Sequence, residues 1–168
     1  FRSPSLTELL ADLRGGTFGL NVATKTELLI EVLDRRAHDR IDWASYMKPH
    51  SKQKQRLSEA LDAYTEALVE RGLLDFARLE ELALERLEAG ELDAFRDGVD
   101  ALVVDEYQDT NLLQEQLYFA IAERSGGALT VVGDDDQSLY RFRGATVELF
   151  SDFGRRYKKR FGRAPATT

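Results

Sequence analysis

Val104-Asp105-Glu106-Tyr107-Gln108-Asp109-Thr110-Asn111, running on to Gln114, and Gly133-Asp134-Asp135-Asp136-Gln137-Ser138-Leu139-Tyr140-Arg141-Phe142-Arg143-Gly144-Ala145 are the two stretches whose reading decides the fold. Each closes a short apolar run, Ala101-Leu102-Val103-Val104 before the first and Ala128-Leu129-Thr130-Val131-Val132 before the second. Runs this short and this apolar read as strands buried on both faces. Between them, residues 111–123 put Leu112, Leu113, Leu117, Ala120 and Ile121 on one side of a helix, and Ser125-Gly126-Gly127 makes the turn. Strand, helix, strand within roughly 30 residues is a βαβ unit, which implies parallel strands and a right-handed crossover. Ligands of such sheets sit beyond the carboxyl ends of the strands. Asp105-Glu106 and Gly133-Asp134 fall at those ends, so both motifs are expected to point into one crevice.

Upstream the period is helical. Ser5-Leu6-Thr7-Glu8 and Thr24-Lys25-Thr26-Glu27 fit the capping-box pattern, each followed by an apolar run. Gly15-Gly16 closes the first expected helix, and Leu28, Leu29, Val32 and Leu33 carry the second. Leu57, Leu61, Tyr64 and Leu68 recur at helical spacing, with Gly72 where a C-terminal cap belongs. Asp75 can cap a further helix with Phe76, Leu79, Ala83 and Leu87 as its expected buried face, and Gly90 ends it. Nothing before residue 100 carries obvious chemistry.

The 168 residues are enough for one domain with a proper core, or for one and a half small ones. No apolar run approaches the roughly 20 residues of a membrane helix, and no signal peptide opens the chain. Cysteine is absent, which removes disulfides and thiolate metal sites and makes a reducing, intracellular home the default. His38 and His50 are too few and too isolated to build a histidine metal site. The net charge of −7 argues against a free-standing nucleic-acid binder. The charge is uneven, however: Arg155, Arg156, Lys158, Lys159, Arg160 and Arg163 follow Asp152 with no acid among them. That run reads as a solvated helix end or as a local phosphate-facing patch. Phe1 at the start and Ala164-Pro165-Ala166-Thr167-Thr168 at the end lead us to expect a piece of a longer protein.

Two carboxylates at a strand tip suit a Mg-nucleotide site. Mg²⁺ is a hard ion that keeps several waters and needs only one or two carboxylates beside substrate phosphates. A neighbouring carboxylate can orient or deprotonate the attacking water. Asp105 is the metal-side residue on this reading and Glu106 the water-side one. An Asp-Glu pair alone would more simply be a solvated turn, and it is the longer string that carries weight. Asp-Glu-Tyr-Gln-Asp-Thr-Asn, then Gln114, then Gly-Asp-Asp-Asp-Gln-Ser-Leu-Tyr-Arg-Phe-Arg-Gly-Ala, resembles the second and third helicase motifs of the UvrD/Rep family of superfamily 1. The resemblance is strong over residues 102–146 and weaker over 57–101.

The resemblance implies an α/β fold: a partial RecA-like P-loop NTPase parallel sheet (βαβ, 101–150) preceded by a mainly α-helical insertion subdomain. The implied division is 1–100 for the helical insertion of the first motor domain, 101–154 for part of the RecA-like ATPase domain, and 155–168 for a basic tail or linker. It further implies Mg²⁺ and ATP, with Asp105 holding the metal through water and Glu106 activating the hydrolytic water. Gln137 would sense the γ-phosphate and link it to DNA, and Arg143 would stabilise the charge that develops in transfer. Tyr140 and Phe142 would stack on single-strand bases, worth ~1–3 kcal/mol per base. Many members carry Trp where Phe142 stands, and Phe offers a smaller face; core packing is the alternative for both aromatics, since alternating aromatics also suit a buried strand.

The implied function is that of a fragment of an ATP-dependent 3′-to-5′ DNA helicase in repair or recombination, acting on single-stranded DNA and duplex junctions. The implied location is cytoplasmic, bacterial and nucleoid-associated, with no membrane. A Gly-rich phosphate loop is not evident; the nearest match, Gly19-Leu20-Asn21-Val22-Ala23-Thr24-Lys25-Thr26, has Thr24 where the second Gly belongs. This chain alone is therefore expected to hydrolyse little or no ATP. The alternatives are a truncated, catalytically silent relative that works as a binding or regulatory module, and a helicase–nuclease component with a nuclease domain downstream.

Overall fold

The computed structural model describes residues 22–42, 45, 48, 52–134 and 147–166. The chain divides between Leu79 and Glu80 into two compact units. The unit that holds the sheet thus takes in residues 80–100, which the sequence grouped with the helical segment.

In the first unit, helix α1 (Val22–His38) buries Val32, Leu33 and Ala37. It starts two residues before Thr24, so Thr24 lies inside its first turn rather than capping it. The other expected capping box, Ser5 to Glu8, lies outside the described residues, as do Gly15-Gly16. Helix α2 (Lys52–Glu70) buries Leu61. Gly72, at φ +62°, ends α2 as expected: its own N–H bonds the Val69 carbonyl and the Leu73 N–H bonds the Leu68 carbonyl. Asp75 then caps helix α3 (Phe76–Glu88), its Oδ1 accepting the Arg78 N–H at 2.7 Å. Its other oxygen accepts the Tyr64 hydroxyl at 2.9 Å. Burial, this bond and the nearby charges of Asp75 and Asp34 push the Tyr64 pKa up to about 12.

The buried stripe of α3 is Ala77, Leu84 and Leu87; Phe76 and Leu79, expected inside, are 86% and 50% exposed. The stripe meets the expected face at Leu87 and departs from it at Phe76 and Leu79. The cap at Asp75 sets where the helix starts, and the smaller Ala77 takes the inner position. Gly90 ends it, as expected, with φ +78°.

In the second unit, helix α4 (Asp93–Asp97) sends the buried Arg96 to the Ala120 carbonyl and to Asp93 and Glu123. Strands β1 (Leu102–Val104) and β2 (Leu129–Val131) pair in parallel, Leu102 opposite Leu129 and Val104 opposite Val131. Helix α5 (Leu112–Ala122) connects them, which makes the predicted βαβ unit. Helices α6 (Val147–Ser151) and α7 (Phe153–Phe161) follow.

The core gathers Val104, Tyr107, Phe119, Phe153 and Tyr157, with Leu102, Leu129, Val131, Tyr118, Phe150 and Phe161 packed against them. Tyr107 meets Phe153 edge-on at 5.2 Å between ring centroids, and Phe119 meets Phe161 likewise at 5.5 Å. Each such pair contributes about 0.5–1.5 kcal/mol beyond the area it buries.

The strands are not buried on both faces. Leu102, Val104, Leu129 and Val131 face the core, while Val103 is 68% and Val132 53% exposed. Side chains alternate across a strand, and α5 and α7 both cover the same side. The apolar composition of the strands is that of a doubly covered sheet; the described residues cover one face.

The basic run after Asp152 lies on an amphipathic helix. Phe153 and Tyr157 are buried, and the Tyr157 hydroxyl donates to the Gly127 carbonyl at 2.6 Å. Arg156 Nε lies 2.6 Å from both oxygens of the buried Glu115, and Arg156 Nη2 donates to the Leu149 carbonyl. Arg160 pairs with Glu123 at 3.0 Å, Arg155 pairs with Asp152, and Arg163 donates to the Gly126 carbonyl. Lys158 and Lys159 remain exposed.

Candidate functional site

The chain leaves β1 at Val104 and turns at once. Asp105 and Glu106 are exposed at the strand tip, and Asp105 Oδ1 accepts the Glu106 N–H at 2.8 Å. Glu106 adopts φ 51°, ψ 40°, a left-handed conformation. For a side chain with a Cβ this costs roughly 1–2 kcal/mol, so the surroundings must hold it there. The next residue supplies the anchor. Tyr107 is fully buried among Phe150, Phe153 and Tyr118, and its N–H bonds the Val132 carbonyl at 2.9 Å. Burial, reinforced by the charge of Glu115, pushes the Tyr107 pKa up, so its phenol stays neutral.

Residues Tyr107–Asp109 form a short 3₁₀ turn, and Asn111 starts α5 with a full capping box. The Asn111 side chain accepts the Gln114 N–H at 2.9 Å, and Gln114 Oε1 accepts the Asn111 N–H at 3.3 Å. Gln114 Nε2 also donates to Glu80 Oε1 at 2.9 Å, within the unit that holds the sheet. The Asn-x-x-Gln spacing is a legible capping signal, although the sequence drew attention to these residues only as part of the motif.

Gln108 is the functional candidate that sequence reasoning missed. It is 1% exposed. Its Oε1 accepts the Asp134 N–H at 2.9 Å, and its Nε2 donates to Glu106 Oε2 at 2.5 Å. Gly133 is packed so closely on this turn that a Cβ there would fall 2.5 Å from Gln108 Oε1 and 3.2 Å from two backbone nitrogens. The ends of the two strands are therefore joined through one side-chain amide. Of the candidate site residues, Asp105 and Glu106 lie at the end of β1, beside the Gly133-Asp134 end of β2. Gln137, Tyr140, Phe142 and Arg143 lie outside the described residues.

The exposed carboxylates offer hard oxygen donors, the kind Mg²⁺ takes. No group of three or more His, Cys, Asp or Glu is gathered among the described residues. An all-protein cage is thus not what these residues provide; one or two carboxylates open to phosphate oxygens and water is the arrangement Mg²⁺ uses with nucleotides.

The model of the UvrD/REP helicase N-terminal domain matches residues 6–158. The chain belongs to that family. Among similar proteins, an ATP-dependent helicase/nuclease component from Staphylococcus carnosus is 31% identical over 168 aligned positions, covering 89% of this chain and 14% of that protein. Its namesake from Carboxydothermus hydrogenoformans is 40% identical over 106, covering 63% and 9%. That from Listeria innocua is 34% identical over 134, covering 73% and 11%. The chain thus spans 9 to 14% of the length of these relatives. No helix among the described residues is long and apolar enough to cross a membrane.

Proposed function

We propose that this chain is part of the first, RecA-like motor domain of an ATP-dependent DNA helicase, with the helices before residue 101 as its insertion. The observation that carries the reading is the left-handed turn at the end of β1. It presents Asp105 and Glu106 side by side at the carboxyl end of a parallel strand, against the end of its neighbour. Family membership supports it, as do the relatives' names.

Asp105 would hold Mg²⁺, which would supply charge neutralisation on the phosphates. Glu106 takes a proton from the water that attacks the γ-phosphorus, leaving ADP and phosphate. Gln137 reads the γ-phosphate, Arg143 balances the charge developing on it, and Tyr140 and Phe142 stack on bases of single-stranded DNA. Movement is 3′ to 5′, and the setting is DNA repair or recombination in a bacterial cytoplasm.

The test is DNA-stimulated phosphate release by the full-length protein carrying Asp105→Asn or Glu106→Gln. Glu106→Gln is expected to lose about 10²-fold or more in kcat, the usual scale for a positioned acid–base group, and Asp105→Asn is expected to lose turnover through a weakened hold on the metal. Turnover at the unsubstituted rate in both variants would overturn the reading in favour of a catalytically silent binding module.

A further inference from the structure

We propose that Gln108 is a positioning residue for Glu106, and that it ties Glu106 to the end of β2. The proposal rests on the reading of Glu106 as the water-activating group.

The orientation of the amide follows from its two partners. A backbone N–H from Asp134 can only be met by Oε1, and the carboxylate of Glu106 can only be met by Nε2. The flipped amide would set donor against donor and acceptor against acceptor, so one arrangement satisfies both contacts. The side chain is 1% exposed, so water cannot replace either partner. Glutamine has the reach for the double contact; asparagine, one methylene shorter, does not. Gly133 completes the device by leaving room for Oε1, since a Cβ would fall 2.5 Å from it.

The consequence is mechanical. Glu106 sits in a backbone conformation that needs outside support, and one of its carboxylate oxygens is held by an amide whose other end is fixed to Asp134. A displacement of the 133–134 segment pulls on Oε1 and is passed to Glu106 through a rigid, planar group. Gln108 itself need not touch nucleotide or water.

The experiment compares Gln108→Glu, Gly133→Ala and Glu106→Gln in the full-length protein, with ATPase rates normalised to the amount of nucleotide bound. Gln108→Glu keeps an acceptor for the Asp134 N–H and replaces the donor to Glu106 by a repelling oxygen. Gly133→Ala crowds the amide without altering its chemistry, and presses also on the Tyr107 and Gln108 backbone nitrogens. Both are expected to lower kcat about tenfold or more, with the KM for ATP within about twofold, as small misplacements of a reacting group do. Added to Glu106→Gln, Gln108→Glu should cause no further loss in single-turnover rate, because the group it positions is already disabled. If Gln108→Glu does not fold, Gly133→Ala and Gln108→Met decide the matter by the same readouts. An unchanged kcat, a loss matched by weaker nucleotide binding, or losses that multiply with Glu106→Gln would overturn the proposal. Full turnover in Glu106→Gln would instead overturn the function on which it rests.

Discussion

Glu106 and Gly127 show two opposite answers to the same backbone demand. Both have positive φ, 51° and +82°. At Glu106 the side chain is retained and the surrounding contacts bear the strain. At Gly127 there is no side chain, because there is no room: a Cβ would lie 2.8 Å from the Phe161 ring and 3.1 Å from the Tyr157 hydroxyl. Gly127→Ala therefore meets both a backbone and a steric penalty, and should destabilise the protein by about 2–3 kcal/mol. A urea midpoint measured by circular dichroism checks this; a shift below about half a kcal/mol would show that α7 can move aside. At this scale the acid pair was legible, because Asp and Glu after an apolar run are conspicuous. Gln108 was not, because nothing in a polar residue within a polar string announces that it is buried.

Helix α7 shows how an element can be misjudged from its charge. Its cations stand out in sequence, yet Phe153, Tyr157 and Phe161 recur at helical spacing and place it on the core. The acids that answer those cations come from elsewhere, above all Glu115 on α5, whose side chain is 2% exposed. Burial opposes the charge on Arg156, but the hydrogen bond and charge of Glu115, with help from Tyr107, raise its pKa and keep it cationic. Removing the cation leaves a carboxylate buried without a partner, which typically costs about 3–5 kcal/mol. Arg156→Met, which keeps most of the apolar stem, should thus lose about 3 kcal/mol, because the Arg156 side chain is 21% exposed and partly screened. Thermal melting at neutral pH measures it, and an unchanged midpoint would mean that the pair stabilises nothing. On α5 itself the apolar expectation held at Leu113 and Ala120. The buried acid in that stripe escaped, since periodicity weighs hydrophobicity and Glu115 has none.

At the scale of the whole molecule, the described residues cover one face of the sheet. Val103→Thr should change stability by less than about 0.5 kcal/mol, as for an exposed position. Val104→Thr, one residue on and facing the core, should cost more than about 1.5 kcal/mol through lost packing and a buried hydroxyl. Equal effects at both sites, read by denaturant titration, would show that the outer face is covered in solution. The same incompleteness bears on activity. Asp105 and Glu106 stand at the tip of β1, and among the described residues the second strand end, α5 and α7 bring no Gly-rich phosphate cradle to them. The 168-residue chain by itself should therefore release phosphate from ATP at or near background with or without single-stranded DNA, and clear DNA-stimulated turnover would overturn that expectation.

The sequence by itself determined the βαβ unit, its parallel pairing, the caps at Gly72, Asp75 and Gly90, and the acid pair at a strand tip. These are local: hydrophobic period, turn chemistry and an abrupt change from apolar to charged residues act within one or two turns of chain. Tertiary structure alone decided which face of each strand is buried, which way α3 is turned, and that the carboxylate of the left-handed Glu106 meets the Gln108 amide. The contacts responsible join residues 26 positions apart, as in Gln108 to Asp134, or 41 apart, as in Glu115 to Arg156. A hydrogen bond of that separation leaves no trace in the composition or spacing around either partner, because both polar groups would be equally at home in water. Only the packing that removes the water makes the bond necessary.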